Sequence, residues 1–421
     1  MGRRRGALEG VARVAVADCR SCGAGPIRSV LDLGEQPLAN RLRTEAQLAE
    51  DEPRHPLHLA VCPECSLAQL TTSVPPEELF EDYPYFSSVI PSLVAHAGEI
   101  AARLVRERGL GPDSLAMEIA SNDGYLLQHY RDAGVPVLGV DPARNIAATA
   151  EANGIPTRCA FFGRDVGREL AAEGHRPDVV HANNVLAHVP DLNGFVAGIA
   201  TLIGEHGRLV SESPYLKDLL DHVEFDTIYH EHLCYFSLTA LDRLMERHGL
   251  VIEDVERLAI HGGSIRLFVG AATVAERGPR VLALLEEEQG WGVDAPAPYD
   301  RFAARVQALG AELTGLLDRL RADGSTLAAY GAAAKGSTLL NTFGIGAERL
   351  AFIADTSPHK QGFYAPGTGL PIVAPERLLS DRPDYVLLLA WNFADEIVAQ
   401  QRAYREAGGR FIVPVPTPRI V

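Results

Sequence analysis

Leu115-Ala-Met-Glu-Ile-Ala-Ser-Asn-Asp-Gly124 is the stretch on which the fold turns. An apolar run, Leu115–Ala120, stops at the turn residues Ser121–Gly124, and Tyr125–Ala133 continues as helix. Val135–Val140 reads as a second strand closed by Asp141-Pro142, and Asn145–Asn153 as the next helix. Asp178–Ala182 and Gly207–Glu212 give two more strands. The pair Val251–Leu258 and Ser264–Val269 would finish the sheet antiparallel at its edge. This alternation predicts an α/β fold built on a doubly wound, mostly parallel sheet.

Ligands of such sheets sit at the carboxyl ends of the strands. Small residues after the first strand let the backbone approach a ligand. Asp141, 21 residues after Ala120, is placed to accept hydrogen bonds from ribose hydroxyls. Glu118, Ala120, Asn122, Gly124 and Asp141 are therefore the cofactor candidates. The loop lacks G-x-G-x-x-G, the pattern that cradles a pyrophosphate. S-adenosylmethionine has no pyrophosphate and needs polar acceptors for its aminoacid tail, so the residues favour a methyl donor over NAD. An ordinary βα turn is the competing reading.

Working outward, residues 276–322 are helical and charged, and a second α/β series follows. It comprises strand Thr326–Tyr330, loop Gly331-Ala-Ala-Ala-Lys335-Gly336, helix Ser337–Phe343, and strands Leu350–Asp355 and Tyr385–Ala390. Towards the amino terminus, Pro91–Gly109 is helical, residues 71–85 are a Pro-rich connection, and Gly34–Asn40 reads as a loop after a short segment Ile27–Leu33. Cys19-Arg-Ser-Cys22 and Cys62-Pro-Glu-Cys65 are separated by 39 residues. Two C-x-x-C knuckles supply four thiolates, a closed tetrahedral shell for Zn²⁺, which makes the metal structural. The domains expected are 1–75 (zinc-binding), 76–275 (cofactor-binding) and 276–421 (a Rossmann-like second unit).

Two further clusters carry chemistry. Tyr229-His-Glu-His232-Leu-Cys-Tyr235 packs two His, one Glu and two Tyr into seven residues after the fourth strand, on the ligand-facing rim. Metal binding, or polar residues satisfied beneath a loop, are the alternatives. Gly331–Thr338 places small residues, Lys335 and hydroxyls between strand and helix, as an anion nest would; a tight turn with a surface lysine fits as well. Asp355 would hold a ribose or cap its strand.

Lys and Arg number 39 against 55 Asp and Glu, a net charge of −16. That balance excludes general binding to nucleic acid or anionic membrane, which needs a basic face. No run of about 18 apolar residues is present for a membrane span. The Arg-rich start is not followed by an apolar core, because Glu9 and Arg13 break it, so a cytoplasmic chain with a disordered first dozen residues is expected.

Taken together, the knuckles, Leu33-Gly-Glu-Gln-Pro-Leu-Ala-Asn40, Glu118–Gly124, Tyr229–Ser237, His261-Gly-Gly-Ser-Ile-Arg266 and Ala333-Ala-Lys335-Gly-Ser with Asn341 resemble the zinc-containing, S-adenosylmethionine-dependent C-3′-methyltransferases of antibiotic deoxysugar biosynthesis. The resemblance spans nearly the whole chain. It departs at Ala120, where the family more often has Gly. It implies three domains: zinc-binding, methyltransferase and Rossmann-like. It implies a dTDP-linked 4-keto deoxysugar held between the last two, with methylation at C3 through an enolate. C5 methylation and a nicotinamide-dependent nucleotide-sugar oxidoreductase are the alternative activities, and a zinc-ribbon binding protein the non-enzymatic one. By the resemblance His232 is the base, Tyr229 and Glu231 hold the sugar or orient that base, and Tyr83 and His188 line the pocket. Asn183 joins the cofactor set. Lys335, Ser337, Asn341, Arg266 and Ser87 form the substrate set. A monomer is expected.

Overall fold

A computed structural model of the chain describes residues 14–80 and 86–421. The expectations for Tyr83 and for the first dozen residues lie outside the described residues.

The middle of the chain forms a seven-stranded sheet. Its spatial order is Leu250–Leu258, Ser264–Ala271, Arg208–Pro214, Val179–His181, Ala116–Ile119, Val137–Asp141 and Thr157–Cys159. Every neighbouring pair from Arg208–Pro214 onward is parallel; Ser264–Ala271 runs antiparallel to both of its neighbours. The hairpin expected at the edge is there. All four residues of Ala116–Ile119 are buried, as a central strand covered on both faces requires. The covering helix Pro91–Arg108 starts with proline at its first turn and ends at Gly109, whose φ of 63° closes it in the left-handed region. Its buried residues Ala97, Ile100, Ala101 and Leu104 recur at helical spacing.

A six-stranded sheet makes the carboxyl-terminal unit, in the order Ile372–Val373, Ile353–Ala354, Leu327–Tyr330, Tyr385–Leu388, Arg410–Val413 and Arg419–Ile420. The first five strands are parallel and the last is reversed. Helices Pro279–Trp291 and Pro296–Ala322 lead into it. The second, of 27 residues, buries Phe302, Val306, Leu309, Leu313 and Leu317 along one face. The helix after the first strand begins at Ala334, three residues earlier than the sequence indicates. Alanine is the best helix former, so Ala334 and Lys335 join the first turn instead of remaining loop.

The two units close their first loops alike. Asp141 accepts from the amides of Asn122 (2.9 Å) and Ala143 (2.9 Å), and Asp355 from those of Ala332 (2.7 Å) and Ser357 (2.8 Å). In each, one carboxylate ties the first loop to the second strand.

The amino-terminal sheet holds a connection that the sequence conceals. Arg28–Gln36, His55–Val61 and Ala68–Leu70 pair antiparallel, and the free edge of Ala68–Leu70 takes Cys234–Tyr235. Two residues of the His-rich segment therefore belong to the zinc module's sheet. The first strand also runs on to Gln36, where a loop is expected from Gly34. A bulge between Asp32 and Glu35 absorbs Gly34 at φ 74°, and pairing resumes at Glu35 and Gln36.

Candidate active site and metal centre

The four cysteine sulfurs of the knuckles all lie within 4.8 Å of one another, with Cys19–Cys65 at 3.4 Å and Cys22–Cys62 at 3.5 Å. Tetrahedral Zn²⁺ with Zn–S bonds of about 2.3 Å requires S···S edges of about 3.8 Å, a length within the range these sulfurs span. Without a cation, hydrogen bonding lowers the Cys19 pKa to about 5 and raises that of Cys65. A divalent ion holds all four as thiolates. The cluster is tied into the rest of the molecule. The amide of Arg20 donates to Gln69 Oε1 (2.8 Å), Gln69 is the partner of Cys234, and Asn193 Nδ2 donates to the carbonyl of Ser21 (2.9 Å).

A cavity of about 610 Å³ opens at the carboxyl ends of the central strands, and residues of the carboxyl-terminal unit close its far side. Ala120, Tyr125, Asp141, Phe161, Asn183 and Asn184 line one half. His188, Glu224, Thr227, Tyr229, His232 and Lys335 line the other.

In the first half Ala120 stands at φ 56°, Asn122 at 49° and Gly124 at 83°. A left-handed conformation costs an L-residue other than Gly about 1–2 kcal/mol, which is the physical reason a relative would carry glycine at position 120. Gly124 also has no room for a side chain, since a Cβ would lie 2.6 Å from Ile155. Asn122 is not on the cavity wall. Its side-chain oxygen accepts from the Ser87 amide (2.8 Å) and so brings Ser87 to the rim. Asn183 accepts from the Glu212 amide (3.2 Å) while facing the cavity. Glu118 lies beneath the loop, fully buried. Its Oε2 has no hydrogen-bonding partner among the described residues. Burial, with Asp141 and Asp123 nearby, holds its pKa well above the ordinary glutamate value. Glu118 lies off the cavity wall and Asp141 on it; acids so placed suit a cationic cofactor, and S-adenosylmethionine carries both a sulfonium and an ammonium.

In the second half, the backbone from Tyr229 to His232 makes one turn, closed by the His232 amide on the Tyr229 carbonyl (2.9 Å). The ends of the turn face the cavity, and its middle faces the zinc module. His230 Nε2 meets the His55 carbonyl (3.2 Å), and burial lowers its pKa to about 4. Glu231, off the cavity wall, accepts from Asn40 Nδ2 (2.7 Å), and burial raises its pKa to about 7. Glu231 therefore anchors the turn from behind the cavity wall.

His232 Nδ1 lies 2.9 Å from the Thr227 carbonyl, which can only accept, so Nδ1 carries the proton. Nε2 is then bare and accepts from the Tyr229 hydroxyl (2.9 Å). This tautomer follows from the hydrogen-bond network. The His188 ring stands edge-on to His232, with centroids 4.9 Å apart. Burial pushes the His188 pKa down to about 4, so it is neutral and does not oppose a positive charge on His232.

Three residues expected on the substrate are elsewhere. Arg266 is buried in an ion cluster. It donates to Glu212 (2.7 Å) and Glu256 (3.1 Å), and His96 also contacts Glu212 (3.0 Å). In Asn341 the amide group is taken by the carbonyls of Ser337 (2.9 Å) and Pro366 (3.0 Å). Ser337 is buried in the same helix, off the cavity wall. Lys335 does line the cavity; it donates to Asn392 Oδ1 (2.9 Å) and lies 4.6 Å from the Trp391 ring centre. The sequence reading missed Glu224, Asn184 and Phe161. For Glu224 the one available signal is an acid within Val223-Glu-Phe225, five residues before Tyr229.

Three family models match: a zinc binding domain over residues 19–80, a methyltransferase domain over 95–255 and a C-methyltransferase C-terminal domain over 259–416. The C-methyltransferase NovU of Streptomyces niveus is 40% identical over 407 residues, 96% of this chain and 97% of the relative. Among solved structures, magnesium protoporphyrin IX methyltransferase (ChlM) from Synechocystis PCC 6803 with bound SAM is 16% identical, over 42% of this chain and 79% of that one, at a TM-score of 0.33. No helix among the described residues is long and apolar enough to cross a membrane. The oxidoreductase and non-enzymatic readings fall with these matches: the chain belongs to the zinc-containing, S-adenosylmethionine-dependent C-methyltransferases.

Proposed function

We propose that this C-methyltransferase acts in the cytoplasm, as a monomer, on C3 of a dTDP-linked 4-keto deoxysugar in antibiotic deoxysugar biosynthesis. The supporting observation is the Thr227–His232–Tyr229 chain of hydrogen bonds, which opens on the same cavity as Asp141 and Ala120. The domains follow as 1–75, 76–275 and 276–421, holding zinc, cofactor and nucleotide respectively.

A 4-keto group acidifies the hydrogens of the adjacent carbons. In this reading Nε2 of His232 takes the C3 proton, and the Thr227 carbonyl steadies the ring through Nδ1–H. The resulting imidazolium donates its new N–H to the Tyr229 oxygen. That leaves the Tyr229 hydrogen free to bond the enolate oxygen where charge develops. S-adenosylmethionine, when bound, supplies an electrophilic methyl group for the enolate carbon. Asp141, Asn183 and Ala120 hold the cofactor. Ala333, Ala334 and Lys335, at the amino end of a helix facing the cavity, receive the diphosphate.

The experiment is a panel of dTDP-4-keto-6-deoxysugars, differing at C2 and C3, incubated with protein and S-adenosylmethionine and read by mass spectrometry and NMR. One panel member gaining a single methyl on C3 is the expected result. A methyl on C5 would reassign the carbon. No methylation of any member, with S-adenosylmethionine bound, would remove the sugar reading.

A further inference from the structure

Of the acids on the cavity wall, Asp141 is placed on the cofactor and Asp191 caps the helix Leu192–Ile203; Glu224 is left without a role. Glu224 is 5% exposed and sits where the middle and carboxyl-terminal units meet. The next residue, Phe225, packs its ring on Phe343 of the carboxyl-terminal unit, centroids 4.8 Å apart. Along the cavity wall Glu224 stands with Thr227 and Tyr229 from its own segment, Gly263, and Ala333 to Lys335 opposite.

The His261-Gly-Gly stretch leaves room for this acid. Gly262 has φ 90° and Gly263 φ 131°, and a Cβ on Gly262 would collide with the carboxylate oxygens of Glu224. A Cβ on Gly263 would strike Asp218. The two glycines leave the Glu224 carboxyl lying against bare backbone.

The charged and titratable groups around it are few. His222 Nδ1 is 3.5 Å from Oε1, on the solvent side. Asp218 is held by Arg257 (2.7 Å), and Asp226 by the Trp391 indole N–H (2.6 Å). Lys335 is the cation across the cavity. Burial raises the Glu224 pKa to about 8, with Asp226 and Asp218 adding to the rise and Lys335 opposing it. A diphosphate that engages Lys335 removes this opposition and adds negative charge, so the acid retains its proton more firmly when the site is full.

The geometry points to Glu224 as a further substrate-binding residue, whose carboxylic acid donates a hydrogen bond to an oxygen of the sugar diphosphate while Lys335 pairs with a phosphate. The inference rests on the reading that a sugar nucleotide fills this cavity. Ionised, the same group would repel the ligand. Affinity is therefore full while Glu224 is protonated and declines as pH rises through 8 and beyond.

Thymidine diphosphate is the probe, titrated calorimetrically into the whole protein from pH 7.0 to 9.5, in two buffers of different ionisation enthalpy. S-adenosylhomocysteine binding is measured alongside. The wild-type affinity should fall about tenfold between pH 7.5 and 9.5, with proton uptake on binding near pH 8. Glu224→Gln, whose amide donates at every pH, should lose both the fall and the uptake. Proton uptake in the unmodified protein needs no variant. No uptake, or an equal fall in Glu224→Gln, overturns the role of Glu224 alone. Thymidine diphosphate failing to bind either protein at any pH, while S-adenosylhomocysteine binds both, overturns the sugar-nucleotide reading and this inference with it.

Discussion

His232→Asn should lower the rate of methyl transfer about 10³-fold while the protein folds and binds S-adenosylmethionine normally. The tautomer of the base is fixed by its surroundings: the Thr227 carbonyl holds the proton on Nδ1, and Nε2 is left as acceptor. Loss of a general base costs about 10²–10⁴-fold. Asparagine keeps a donor for the Thr227 carbonyl and removes the basic nitrogen. The cofactor half, built on Asp141 and the Ser121–Gly124 loop, is untouched. Single-turnover methylation and S-adenosylhomocysteine binding, measured on one preparation, separate the two effects. Retained methylation would remove His232 as the base; lost cofactor binding would make the variant a folding defect.

Removing zinc should also be damaging, although no cysteine of the centre lies on the cavity wall. Structural zinc contributes about 10–16 kcal/mol in small zinc domains, and here the module's sheet includes Cys234–Tyr235 as its edge strand. Leu70 donates to the Leu233 carbonyl (2.9 Å), one residue beyond His232. Asn40 holds Glu231, and the His55 carbonyl holds His230. When the knuckles open, every one of these contacts loses its support, and the Tyr229–His232 turn moves. A displacement of about 1 Å at a reacting group costs roughly 10²-fold. Chelation, or Cys62→Ala, should therefore cut methylation by about 10² or more and leave S-adenosylhomocysteine affinity within a few-fold. Full activity in metal-free protein would mean that the turn is held from the cofactor side alone.

Six of the seven strands of the central sheet were legible as local apolar runs, and the knuckles because ligand spacing is a local pattern; the seventh strand, Thr157-Arg-Cys159, is short and polar and was not read. What escaped depends on contacts between distant segments. Nothing in Cys234–Tyr235 announces that it pairs with Ala68–Leu70, yet that pairing decides which side chains of the His-rich segment face the cavity. The dense Tyr229–Tyr235 cluster looked uniform as sequence. A single turn splits it, sending Tyr229 and His232 one way and His230 and Glu231 the other. Arg266 was set on the substrate by the resemblance alone, and its ion pairs with Glu212 and Glu256 join segments too far apart in sequence to be read from it. Asn341 and Ser337 also came from the resemblance; Asn341 donates to the carbonyls of Ser337 and Pro366, and neither residue is on the cavity wall. Glu224 carries no motif, and only the packing of Gly262 against its carboxyl marks it.

The most direct test of the enolate account separates proton removal from methyl transfer. The protein is incubated in D₂O with the dTDP-4-keto sugar that it methylates and with S-adenosylhomocysteine, so that no methyl is available, and the C3–H signal is followed by NMR. The account predicts enzyme-dependent loss of that signal in wild type and none in His232→Asn. A C3–H signal that persists in wild type under conditions where methylation proceeds, or that exchanges equally fast in His232→Asn, would contradict it.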